Sequence, residues 1–104
     1  MRKAKVYYQD SWAGILTEDG EGYHFQYNAD YLEKGGEPIS LTLPLQMEPY
    51  HSNILFPFFD GLIPEGWILD IVEKNWKVSE KDRMGILLVA CKDCIGAVSI
   101  EPEL

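Results

Sequence analysis

Two hydrophobic rhythms divide this chain, and the break between them decides its fold class. In the first half, apolar residues alternate with polar ones in two stretches, Tyr23, Phe25 and Tyr27 with His24 and Gln26, and Ile39 to Leu45 with Ser40 to Gln46. A period of two places one set of side chains on a single face of a strand. From Ile54 onward the apolar residues cluster at spacings of three and four, the repeat of a helix with one buried face. A strand-rich first half followed by a helix-rich second half reads as α+β.

The turn and cap residues fill in this outline. Lys5 to Tyr8 predicts a first strand and Asp10-Ser11 a turn. Trp12 to Thr17 predicts a second strand, in which Gly14 marks a close-packing point or a bulge. The polar stretch Glu18 to Gly22 is a hairpin loop, so the first three strands form an antiparallel meander. Asn28 is placed to cap a short helix from Ala29 to Lys34, ended by Gly35-Gly36. Ile39, Leu41, Leu43 and Leu45 alternate with polar residues and predict another strand, with Pro44 at its edge or end.

In the second half, Leu55, Phe56, Phe58 and Phe59 predict a helical turn or two, interrupted by Pro57. Pro64 opens a helix running to about Trp76, with Glu65 favourable in its first turn. Ser79 is a good N-cap for the next helix, and Asp82 three residues later echoes a capping box. That helix carries Met84, Ile86, Leu87, Leu88 and Val89 and ends near Cys91. Gly96 to Ile100 predicts a last strand returning to the sheet. The expected architecture is a single domain over residues 1–104: a small antiparallel, partly barrel-like sheet packed by two or three helices. Trp12 and Trp76 are expected in its core.

Charge narrows the function. Seventeen acidic residues stand against nine basic ones, a net charge of −8. Such a surface repels phosphate backbones and anionic lipids and suits a partner with a basic face. No segment approaches the ~20 apolar residues of a membrane span. The basic start Met1-Arg2-Lys3-Ala4-Lys5 leads into Tyr7, Tyr8, Gln9 and Asp10 rather than a signal-peptide apolar region. Two cysteines do not make a secreted disulfide framework. The expected compartment is the cytoplasm, with no direct nucleic-acid or membrane binding.

Chemistry needs a positioned base, nucleophile, metal or phosphate cradle. Cys91 and Cys94 have CxxC spacing, but no second cysteine or histidine pair accompanies them in sequence, and they follow an apolar helix instead of opening one. His24 and His51 are separated along the chain and read as surface residues. Glu18, Asp19 and Glu21 read as a solvated turn, lacking the order of a calcium loop. The glycines form neither G-x-G-x-x-G nor a Walker loop, and H-R-D and D-F-G are missing. The expectation is no catalytic residue, no metal site and no cofactor: a binding module, not an enzyme.

The unusual stretch runs from Phe58 to Trp67, joining an aromatic run to a helix start. On a wheel of the following helix, Ile68, Ile71, Val72 and Trp76 share one side, while Trp67 falls roughly 120° away, on the flank of Lys74 and Asp70. A tryptophan there either folds back on Phe58 and Phe59 or stands out as a partner anchor.

Several segments in order resemble the N-terminal domain of HipA-type serine/threonine kinases: Trp12-Ala13-Gly14-Ile15-Leu16, Phe25-Gln26-Tyr27, Tyr31-Leu32, Pro38 to Leu45, Phe58 to Glu65, and Asp93 to Val98. The resemblance covers about residue 5 to Pro102. In that family a helical kinase domain follows; here the sequence stops at Leu104. It is similar to the stand-alone HipS type of subunit of HipBST toxin–antitoxin systems, where HipT is a short kinase and HipB a helix-turn-helix DNA-binding protein. The resemblance implies an antitoxin that binds a HipT-like kinase in trans and inhibits it, with a HipB-like protein in the same complex. The expected contact is Ile63, Pro64, Glu65, Gly66, Trp67 and Asp70, set near the kinase's nucleotide or phosphate-gripping loop. Two other readings are a non-inhibitory scaffold that completes a truncated kinase and a CxxC redox protein; a third is a truncation remnant without a partner.

Overall fold

The computed structural model describes residues 1–63, 74, 81–90 and 97–103. Their backbone forms β1 (Arg2–Tyr8), β2 (Ser11–Asp19), β3 (Gly22–Tyr27), α1 (Ala29–Glu33), β4 (Tyr50–Ser52), α2 (Pro57–Asp60), α3 (Arg83–Ala90) and β5 (Val98–Glu103). The five strands make one antiparallel sheet in the order β4-β3-β2-β1-β5. The class is the expected α+β. The sheet keeps two edges, β4 and β5, so its barrel-like character stops short of closure.

The meander follows from its turns. Gln9 and Asp10 form a two-residue loop with φ of 47° and 70°. Positive φ at both central positions is the type I′ geometry, whose twist matches the strands it joins. The turn therefore sits one residue earlier than Asp10-Ser11. Opposite it, Val6 pairs with Gly14 but Tyr7 pairs with Trp12, leaving Ala13 as the extra residue of a bulge. Gly14 is a close-packing point as well: a Cβ there would lie 2.4 Å from the Gln26 carbonyl oxygen of β3.

That bulge moves Trp12. In an unbroken strand Trp12 would share the face of Gly14 and Leu16. The inserted residue swaps faces, so Trp12 stands beside Tyr7 on the outer side, 43% exposed. The expectation of a core Trp12 is corrected; Trp76 lies outside the described residues.

The strand expected over Ile39 to Gln46 does not form. Its place is taken by a tight turn, with Leu43 N–H donating to the Ser40 carbonyl and Ser40 Oγ accepting from Thr42 N–H. Ile39 and Leu43 are buried while Leu41 is 99% exposed. The fourth strand of the meander is instead Tyr50–Ser52, pairing His24 with His51 and Phe25 with Tyr50.

Asn28 occupies the N-cap of α1, but its side chain accepts from no helix N–H and instead donates to the Trp12 carbonyl at 3.1 Å. Gly35, with φ of 69°, closes α1 as expected. Pro57 starts α2 instead of interrupting a helix, since its missing N–H costs nothing at the first position. α3 is capped by Asp82, whose Oδ1 accepts from Gly85 N–H at 3.1 Å. The helix thus begins at Arg83, later than a cap at Ser79, itself outside the described residues, would place it.

The core lies between one face of the sheet and the helices. Ala4, Val6, Leu16, Phe25, Val98 and Ile100 meet Phe59, Ile63, Met84, Ile86 and Leu87. Phe25 and Phe59 are wholly buried with ring centroids 5.5 Å apart, each side chain contributing roughly 1.5–3 kcal/mol of hydrophobic stabilisation. No charged side chain is buried among the described residues. Among them, too, no helix is long and apolar enough to cross a membrane.

Candidate functional site

The chain enters the expected contact corner through a fixed approach. After α2, Leu62 N–H donates to the Phe59 carbonyl at 3.0 Å and Ile63 N–H to the Asp60 carbonyl at 3.2 Å. Phe59 is packed by Phe25, Phe56 and Phe58. Asp60 Oδ1 accepts from Arg83 Nε at 2.7 Å, tying α2 to the first turn of α3. Ile63 is 4% exposed and belongs to the core. Its side chain is therefore packed on the protein's own side. Pro64, Glu65, Gly66, Trp67 and Asp70 lie outside the described residues, as do Cys91 and Cys94.

A second anchor fixes α3 against the sheet. The Arg2 guanidinium on β1 gives both terminal nitrogens to the Asp82 carboxylate, at 2.9 and 2.8 Å, and its Nε to Glu18 at 2.6 Å. The hydrogen bonds from Arg2 hold the Asp82 carboxyl below its ordinary range, and those carboxylates in turn raise the guanidinium. Strands β1 and β2 and the cap of α3 are thereby locked together.

Two features on the outer face escape a linear reading. The exposed Trp12 lines a groove of about 380 Å³ with Ser11, Asn28, Tyr31 and Lys34. Lys5 Nζ lies 4.8 Å from its ring centroid. At the β3–β4 edge, His24 and His51 face each other, with Nδ1 to Nδ1 at 3.2 Å and ring centroids 4.7 Å apart. The companion each histidine lacks along the sequence is supplied by the register, across a separation of 27 residues. Nε2 of His24 lies 3.0 Å from Asp19 Oδ2, at ion-pair distance though off the line of a good hydrogen bond. Asp19 is itself fixed by the Glu21 N–H at 2.8 Å; that bond, then His24, holds its carboxyl below the usual range. Only the pairing of strands, not any spacing of residues, could have revealed this pair. Among the described residues no group of three or more His, Cys, Asp and Glu is arranged to hold a metal ion.

Comparison with known proteins places this geometry. The chain matches the HipA N-terminal domain family over residues 4–101. It is 39% identical over 103 residues to an uncharacterized protein of Haemophilus influenzae, covering 99% of this chain and 94% of that protein. It is 29% identical over 105 residues to the putative kinase Y4mE of Sinorhizobium fredii, covering 99% of this chain and 25% of the kinase. Among solved structures, it resembles the N-terminal domain of HipA toxin with a TM-score of 0.76 and 33% identity, covering 100% and 94% of the two chains. It also resembles Shewanella oneidensis HipA in its complex with HipB and operator DNA, with a TM-score of 0.78 and 25% identity, covering 96% of this chain and 24% of that one. The chain therefore spans about a quarter of the two longer proteins.

Proposed function

The chain belongs to the HipA N-terminal domain family, which is tied to toxin–antitoxin kinase systems, and from that premise we propose that it is a non-catalytic antitoxin subunit that binds a HipT-like serine/threonine kinase in trans and inhibits it. The observation that carries this reading is the contrast in coverage. The same domain fills 94% of one relative and only 25% of a putative kinase. A module that occurs both in front of a kinase and almost by itself is suited to act on a kinase as a separate chain. A HipB-like protein joins the same complex, as HipB accompanies HipA in the Shewanella assembly.

The proposed contact is the corner beyond Ile63. Phe59, Ile63 and the Asp60–Arg83 pair anchor the chain up to that corner. Trp67 supplies the apolar anchor and Pro64 a preset backbone, while Glu65 and Asp70 meet basic groups around the kinase's phosphate-gripping loop. The net charge of −8 favours such a partner.

The test is co-expression with the kinase, co-purification, and a phosphorylation assay with and without this chain. Inhibition in the complex is expected; an active kinase in a stable complex makes the chain a scaffold instead. Trp67→Ala is expected to weaken binding by at least ~2 kcal/mol, about thirtyfold in Kd, and to release kinase activity. Unchanged affinity and inhibition remove Trp67 from the interface.

A further inference from the structure

We propose that His24 and His51 are the two protein ligands of a divalent transition-metal site on the outer face of the β3–β4 edge, with Asp19 as the carboxylate that orients His24. This inference stands independently of the kinase partner.

The distances carry it. Zinc and its neighbours bind imidazole nitrogen at about 2.0–2.1 Å. Two nitrogens 3.2 Å apart then subtend an angle of about 100° at the metal, close to tetrahedral. Cross-strand pairing of residues 24 and 51 fixes the two side chains on one face, so the chelate is set by the backbone register. His51 is exposed, so its ring can turn its Nδ1 lone pair toward an ion held at Nδ1 of the half-buried His24.

The third observation is Asp19. A metal-ligating histidine characteristically gives its other ring N–H to a carboxylate, which fixes the tautomer and raises the basicity of the ligating nitrogen. Asp19 Oδ2 stands 3.0 Å from His24 Nε2 and favours the proton there. Nδ1, the nitrogen facing His51, is left as the free lone pair. Without a metal a hydrogen bond joins the two Nδ1 atoms; on binding, the Nδ1 proton of His51 moves by way of solvent to its own Nε2, and a chelate through both Nδ1 lone pairs replaces the hydrogen bond. Imidazole ligands select zinc, nickel or copper over magnesium or calcium. Water fills the remaining positions, since the site opens on solvent. The metal would clip the three-residue strand β4 to the sheet.

The test uses the full chain without a purification tag, labelled with ¹⁵N-histidine, and titrated with Zn²⁺ alone. The expected result is movement of both Nδ1 resonances to the metal-bound range, with Nε2 of His24 remaining protonated. This readout is specific to the two rings and so separates them from Cys91 and Cys94. By calorimetry on a Cys91→Ser, Cys94→Ser chain, His51→Gln is expected to weaken Zn²⁺ binding at least tenfold. Asp19→Asn is expected to weaken it about tenfold and to move the His24 proton toward Nδ1 in the metal-free protein. Histidine resonances unmoved by Zn²⁺, or equal affinity in His51→Gln, would overturn the site; an unchanged tautomer in Asp19→Asn would remove the positioning role of Asp19.

Discussion

The Tyr27 hydroxyl replaces a strand's worth of hydrogen bonding. It is buried, accepts from the Ile39 N–H at 3.1 Å and donates to the Leu43 carbonyl. These two bonds fold the Ile39–Leu43 stretch onto the end of β3 in place of a ladder. Tyr27→Phe leaves a buried donor and a buried acceptor unpaired, so it is expected to cost about 2–3 kcal/mol, read as a lower urea midpoint with unchanged slope. Arg2 acts at the same scale. Its bonds depress Asp82, so their stabilisation is full above the unfolded aspartate value of about 3.9 and is lost as pH falls through the lower folded value. Arg2→Ala is therefore expected to be about 1 kcal/mol less stable than wild type near pH 7, discounted for the partial exposure of the pair. The gap should narrow on acidification below about pH 4, which urea unfolding at several pH values would show. A gap constant with pH would mean that Arg2 acts through packing alone. Neither role was legible beforehand: Tyr27 was visible as a core strand residue, but the partners of its hydroxyl come from a loop that pattern alone had made a strand.

Element by element, local rules succeeded where one face of the sheet is buried and failed where a single residue changes the phase. Tyr23, Phe25 and Tyr27 alternate faithfully because the face they share packs on the core while His24 and Gln26 face the other way. Ile39, Leu41, Leu43 and Leu45 alternate just as well, yet Pro38 and Pro44 flank a turn closed by Ser40. The true partner of β3 is only three residues long, too short for a periodic signal, so β4 and the histidine pair it creates went unseen. Trp12 was misplaced for a related reason, since Ala13 is an ordinary residue until the register shows that it is surplus. The corner expected after Ile63 lies outside the described residues; what the structure describes is the approach to it, anchored in the core at Ile63. The β1–β2 turn offers a direct check. Gln9 and Asp10 hold positive φ without glycine, a conformation costing roughly 1–2 kcal/mol per ordinary residue. Gln9→Asn with Asp10→Gly is expected to raise stability by about 1 kcal/mol, since Asn-Gly is the preferred type I′ pair and the backbone bond from residue 9 to Ala97 is kept. A loss of stability would show that the side chains of Gln9 or Asp10 hold the turn.

Among the described residues the sheet is one-sided: helices bury one face, and the other carries Lys3, Lys5, Thr17, His24, Gln26 and Glu101. The chain carries a net charge of −8, and no charged side chain is buried among the described residues. Charge of this kind acts at long range, on encounter more than on the final contact. If the acidic surface steers the chain to a basic kinase face, the association rate must fall as salt shortens its reach. Raising ionic strength from about 0.01 M to about 0.15 M contracts the screening length from about 30 Å to about 8 Å. The association rate constant is then expected to drop about tenfold, while dissociation, governed by buried contacts such as the proposed Trp67 anchor, changes far less. Stopped-flow mixing at several salt concentrations separates the two rates. An association rate indifferent to salt would confine the acidic excess to keeping the protein in solution and leave recognition to the corner alone.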